Sequence, residues 1–194
     1  MRAGLVLTHG AGANCETPLL VALADAFSAG GVTILRCDLP FRQQLPHGPP
    51  IRTAAIDQAG LRAAASLRAS LPDPEHVRIF LGGHSYGGRQ ATMLAAAEPG
   101  VAEALLLLSY PLHPPRKADQ LRTQHFPELH TPAFFVQGAR DPFGSLDEMA
   151  AGLALIPALT RLLPVESAGH ELLIKTNRAT LPQQIVDTFL AFLS

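Results

Sequence analysis

The chain has no tryptophan, two tyrosines and two cysteines among its 194 residues. Cys15 and Cys37 form neither a CxxC pair nor a disulfide framework. Two such thiols suit a reducing compartment, so a cytoplasmic location is expected. No Lys/Arg run is long enough to track phosphates, and the formal net charge is only −1, so no nucleic-acid partner is expected. No apolar run approaches the roughly 18 residues of a membrane span, so no membrane association is expected either. The opening "MRAGLVLTHG" has a short apolar run that stops at His9, without a longer h-region or an A-x-A site. It reads as a strand and not as a signal peptide. There is no GK[ST] and no G-x-G-x-x-G, which excludes a phosphate loop. Internal repeats, low-complexity tails and interdomain linkers are also missing. Residues 1–194 are therefore expected to form one domain, long enough for a real core.

What is present alternates between strand and helix. Hydrophobic residues make up 47% of the chain and charged residues 16%, a globular profile. Leu5-Val6-Leu7 reads as a short buried strand. Thr17-Pro18 marks a helix start, with Thr17 as N-cap, and Gly30-Gly31 marks its end. Val32–Cys37 is a strand, "DLPFRQQLPHGPP" an irregular loop, and Arg52–Ser70 an alanine-rich helix. Val77–Leu81 reads as strand and Tyr86–Ala97 as helix. Ala104–Leu108 is a fully apolar strand, followed by the irregular "YPLHPPRKADQLRTQHFPELH". Ala133–Val136 and Arg161–Val165 are strands with a helix over Leu146–Leu155 between them. Ile185, Val186, Phe189, Leu190 and Leu193 mark a closing amphipathic helix. Continuous apolar strands separated by helices predict a mostly parallel α/β sheet of about six strands, covered by helices on both faces.

Four glycines surround one serine in "IFLGGHSYGGRQATMLAAA". Gly83-His84-Ser85-Tyr86-Gly87 fits G-x-S-x-G and falls between a predicted strand and a predicted helix, the context that the motif requires. There the serine sits on a sharp turn that lifts its hydroxyl above the sheet edge. The same turn aims the Tyr86 N–H at a developing oxyanion. A serine hydroxyl needs a base, and the base needs an orienting acid. In this strand-helix order the acid follows a later strand and the histidine the last one. "FFVQGARDPFG" supplies Asp141, which Pro142 biases toward an extended backbone. "VESAGHELL" supplies His170. Taken singly, Asp-Pro is a common turn and a loop histidine is common. Together they stand in the chain order Ser85, Asp141, His170 that the motif predicts. In "LTHGAGANCETP", His9-Gly10-Ala11-Gly12 fits an H-G-x turn, with Ala11 as the second oxyanion donor, Gly10 the next choice and His9 structural.

These stretches, with "RCDLPF", "LLLLSYPLHPP" and "VQGARDPFG", resemble the α/β-hydrolases. Within them the chain resembles the small, dienelactone-hydrolase-like bacterial branch. That branch is related to the hydrolase-like domain in a subunit of a mammalian histone acetyltransferase complex. The resemblance implies a reduced α/β-hydrolase fold and a serine hydrolase acting on esters or related acyl bonds of small substrates. Its nucleophile is a serine and not the cysteine of true dienelactone hydrolases, so that substrate does not carry over. The alternative is a non-catalytic interaction module. No cofactor is required, and no metal is expected, since His113, His125 and His130 lack ligand spacing on one element. Arg42 reads as a solvated rim residue that could meet a substrate carboxylate, and Arg89 as a brace for the fold. The irregular stretches 39–50 and 110–132 lack a long apolar stripe, which predicts an open site that favours short acyl groups.

Overall fold

The apolar runs become a six-stranded sheet in the computed structural model, which describes residues 2–51, 53–66 and 76–194. In chain order its elements are β1 (Ala3–Thr8), α1 (Pro18–Ala29), β2 (Thr33–Arg36), α2 (Pro40–Gln44), α3 (Ala54–Ala65), β3 (Arg78–His84) and α4 (Tyr86–Ala97). Then come β4 (Ala104–Leu108), β5 (Ala133–Gly138), α5 (Leu146–Leu153), β6 (Thr160–Val165) and α6 (Leu181–Phe192). The strands lie in the order β2-β1-β3-β4-β5-β6, and every neighbouring pair is parallel.

The pleat divides each apolar run between two cores, because successive side chains point to opposite faces. Leu5, Leu7, Phe80, Leu106 and Phe134 face α1 and α6, where they meet Leu20, Phe27 and Phe189. Val6, Leu81, Leu105, Leu107 and Phe135 face the other way, toward Leu61, Leu94 and Met149. Each fully buried Leu or Phe contributes about 1.5–3 kcal/mol, so these two layers hold the strands in register.

Local differences from the sequence reading have local causes. The stretch expected to be wholly irregular contains α2, begun by Pro40 at its first turn and held because Asp57 Oδ1 accepts the Phe41 N–H at 2.9 Å. Pro18 does begin α1, but the Thr17 side chain makes no capping hydrogen bond. Of the helix expected over 52–70, Ala54–Ala65 is helical, while 52 and 67–70 lie outside the described residues. The closing helix starts earlier than its apolar stripe, at Leu181. In the long excursion after β4, Phe126–Glu128 forms a 3-10 turn that buries Phe126.

The topology sets where a site can form. From β1 the chain steps to one side, to β2, and from β3 it steps to the other, to β4. A crevice opens outside the carboxyl ends of the strands where the order reverses in this way. Thr8 and Gly83 are partners at those ends. The loop that follows β1 and the turn that follows β3 therefore meet there.

Candidate active site

The turn between β3 and α4 is strained. Ser85 has φ 50° and ψ −111°, a conformation that costs a non-glycine residue about 1–3 kcal/mol. Its N–H donates to the Leu108 carbonyl at 2.8 Å, which ties the turn to the end of β4. Glycine is required on both sides. A Cβ on Gly83 would lie 2.5 Å from Thr8 Oγ1 and 2.8 Å from the Gly87 carbonyl carbon, and one on Gly87 would lie 2.7 Å from the His9 oxygen. Helix α4 can therefore start directly against β1, and the Ser85 side chain faces the cleft.

The three residues expected from chain order meet in a hydrogen-bonded line. Ser85 Oγ is 2.9 Å from His170 Nε2, and His170 Nδ1 is 2.9 Å from Asp141 Oδ2. Asp141 is buried, and two further donors hold it. The Phe143 N–H donates to Oδ1 at 2.9 Å and Gln137 Nε2 to Oδ2 at 3.0 Å. Gln137 Nε2 also donates to the Gly144 oxygen at 3.2 Å; both partners are acceptors, which fixes the amide orientation. The Phe143 ring lies against the imidazole at 4.3 Å between centroids. The His170 carbonyl accepts from Ser109 Oγ at 2.7 Å and from His84 Nε2 at 2.8 Å. Burial lowers the pKa of His84, so the ring is neutral and Nε2 carries its proton.

The loop after β1 forms the opposite wall. His9 is fully buried, and its Nε2 accepts the Leu39 N–H at 3.1 Å. Its proton therefore sits on Nδ1, which donates to the Gly10 oxygen at 2.8 Å; burial lowers its pKa and keeps it neutral. The Ala13 N–H reaches the same oxygen at 3.1 Å. Among the described residues, neither the Ala11 N–H nor the Tyr86 N–H meets a protein acceptor. Ala11 lines the cleft beside Ser85 and His170. The Tyr86 side chain turns away, donating its hydroxyl proton to Asp57 Oδ2 at 2.7 Å, and burial raises its pKa. The cleft has a volume of about 440 Å³ and includes Pro18, Phe143, Leu173 and, at its exposed edge, Glu171 and Arg178.

One expectation fails. Arg42 is not a solvated rim residue. It is 6% exposed, and four backbone carbonyls occupy its guanidinium, so it is not available to a substrate carboxylate. The Arg89 Nε is buried and meets no hydrogen-bond partner among the described residues. The three histidines weighed as metal ligands go to separate places. His113 Nδ1 lies 2.8 Å from the Pro114 oxygen, His125 Nε2 lies 2.8 Å from Thr92 Oγ1, and His130 is exposed. Among the described residues no group of three His, Cys, Asp or Glu side chains could hold a metal ion. No helix among them is long and apolar enough to cross a membrane. Gln137, Phe143, Ser109 and Asp57 support the site but carry no spacing that would have singled them out. His84 stood inside the motif without a role.

An alpha/beta hydrolase domain family model matches residues 1–192. Solved structures share the fold. Dienelactone hydrolase from Anabaena variabilis superposes with a TM-score of 0.76 at 20% identity, covering 98% of this chain and 86% of that one. Est1E from Butyrivibrio proteoclasticus with bound ferulic acid gives 0.75 at 18% identity, covering 98% and 89%. An alpha-beta serine hydrolase homologue from Coxiella burnetii gives 0.74 at 15% identity, covering 96% and 84%.

Proposed function

We propose that this chain, which belongs to the α/β-hydrolase family, is a serine hydrolase that cleaves ester or related acyl bonds of small substrates. One observation carries the reading: the line Ser85 Oγ, His170 Nε2, His170 Nδ1, Asp141 Oδ2, with both contacts at 2.9 Å, at the wall of a cleft. His170 takes the proton as Ser85 Oγ attacks the acyl carbonyl. Asp141 keeps the imidazole in the tautomer whose Nε2 is free and stabilises the imidazolium that forms. The Ala11 and Tyr86 N–H groups receive the developing oxyanion. One such donor is worth about 10²–10³ in rate. His170 then gives its proton to the leaving group, and water, activated by the same imidazole, releases the acyl group from Ser85. No step calls for a cofactor.

A fluorophosphonate probe should label wild-type protein on Ser85, and Ser85→Ala should be neither labelled nor active on p-nitrophenyl esters. Label mapped to a different serine, or folded wild-type protein that takes none, would overturn the enzyme reading. It would favour a non-catalytic interaction module, the role suggested by the resemblance to a domain of a histone acetyltransferase complex.

A further inference from the structure

The oxyanion turn contains two glycines within three residues, Gly10 and Gly12. A Cβ on Gly12 would meet nothing within 4 Å, so no packing limits that position. Left alone, such a turn samples many conformations, and an N–H that wanders makes a poor preorganised donor. Something must fix it.

Arg42 does so from beneath. Its Nη2 donates to the Ala11 oxygen at 2.7 Å and its Nε to the Ala13 oxygen at 2.7 Å. The same head group ties down the following loop, through Nη1 to the Leu45 oxygen at 2.9 Å and Nη2 to the Gly48 oxygen at 3.0 Å. Among the described residues no carboxylate pairs with it, so its hydrogen-bonding capacity goes to backbone. With His9 and the Ala13 N–H on the Gly10 oxygen, the carbonyls of Gly10, Ala11 and Ala13 are all held. In a trans peptide the N–H points opposite to its C=O. Holding the peptide planes on both sides of Ala11 therefore sets where its N–H points. The neighbouring Phe41 ring reinforces this, standing 5.5 Å from the His9 ring and 5.4 Å from the Tyr86 ring. Helix α2 thus touches both segments that supply the oxyanion donors.

We propose that Arg42 is a positioning residue, whose guanidinium clasps the turn after β1 and aims the Ala11 N–H at the oxyanion. The role rests on the serine hydrolase reading, but the clasp can be read without it. In Arg42→Ala, kcat on p-nitrophenyl acetate should fall about tenfold to a hundredfold, less than or equal to the loss of one oxyanion donor. KM and the pH profile of kcat/KM should stay as in wild type, because ground-state binding and the Asp141–His170 pair are untouched. Guanidinium ion, added far below unfolding concentrations, should restore part of the rate. Arg42→Lys keeps the charge with a single donor atom; it serves if Arg42→Ala does not fold, and kcat should fall in it as well with KM unchanged. Backbone ¹⁵N relaxation should show lower order parameters at Ala11, Gly12 and Ala13 in either variant. Unchanged order parameters, a kcat within about twofold of wild type, or a loss carried by KM alone would overturn the proposal. If wild-type protein is neither labelled nor active, the hydrolase reading fails. The order parameters then still decide whether Arg42 clasps the turn.

Discussion

His9, His84 and His125 are kept neutral by burial. Burial lowers all three pKa values, and for His125 the nearby Arg89 adds to the effect and brings it to about 4. In the unfolded chain the same rings bind a proton near the ordinary value of 6.5. Between that value and the lower folded one, the unfolded state holds more protons, so stability rises with pH and is lost as pH falls below about 6.5. The neutral rings serve the site directly, since His9 fixes the Gly10 carbonyl and His84 the His170 carbonyl. Urea midpoints should therefore be level near neutrality and decline from about pH 6.5 to pH 5, above most of the carboxylate range. His125→Gln should flatten part of that decline, because Gln can still meet Thr92 but takes up no proton on unfolding. A midpoint that does not move over this interval would show that the rings titrate alike in both states.

At the level of elements, the contact of β1, β3 and α4 leaves no room for a side chain at Gly87. A Cβ there would run into Thr8 Oγ1 and lie 2.7 Å from the His9 oxygen and 3.0 Å from the Thr8 carbonyl carbon. Two of these are backbone atoms that cannot swing aside. Gly87→Ala should cost about 1–3 kcal/mol, as overpacking does, and lower kcat by moving α4 away from the oxyanion turn. Gly12→Ala, with nothing within 4 Å, should leave the denaturation midpoint within error of wild type. Equal midpoints for the two variants would mean that the elbow has slack that its geometry does not suggest. This junction was legible in the sequence, because a nucleophile elbow needs small residues at fixed spacing and the strands around it are unbroken apolar runs. α4 and β4 have the bounds that the pattern gives, Tyr86–Ala97 and Ala104–Leu108. The supports were not legible. Arg42 reads as a surface residue because arginine usually is one, and only the arrival of four carbonyls from two segments makes it a buried clasp. Gln137 sits inside a strand, where its single polar side chain looks incidental until Asp141 folds over it. Such partners are set by tertiary contact and leave no period in the chain.

Across the whole molecule, the apolar residues of the two irregular stretches serve the core and not the cleft. Tyr110, Leu112, Phe126 and Leu129, from the excursion after β4, are fully buried in the core layer beneath α4. Leu39 and Phe41 join the same layer, while Leu45 and Leu121 are 45% and 43% exposed. The cleft is walled by the turn after β1 and by the loops that carry Asp141 and His170, with Ala11, Ala13, Pro18, Phe143 and Leu173 as its apolar surface. Its volume of about 440 Å³ lies toward the small end of ligand sites. Each methylene taken out of water contributes about 0.8 kcal/mol, but only where a wall covers it. On the serine hydrolase reading, an acyl chain carried by Ser85 would find apolar cover only for its first few carbons, against Phe143 and Leu173. Specificity should follow from that geometry: kcat/KM on p-nitrophenyl esters should be highest for acetyl or butyryl and fall for dodecanoyl, with no jump in rate when the substrate passes into micelles. A kcat/KM that climbs steadily to the dodecanoyl ester would mean that the stretches at 39–50 and 110–132 close over long chains, and the open-cleft account would have to be abandoned.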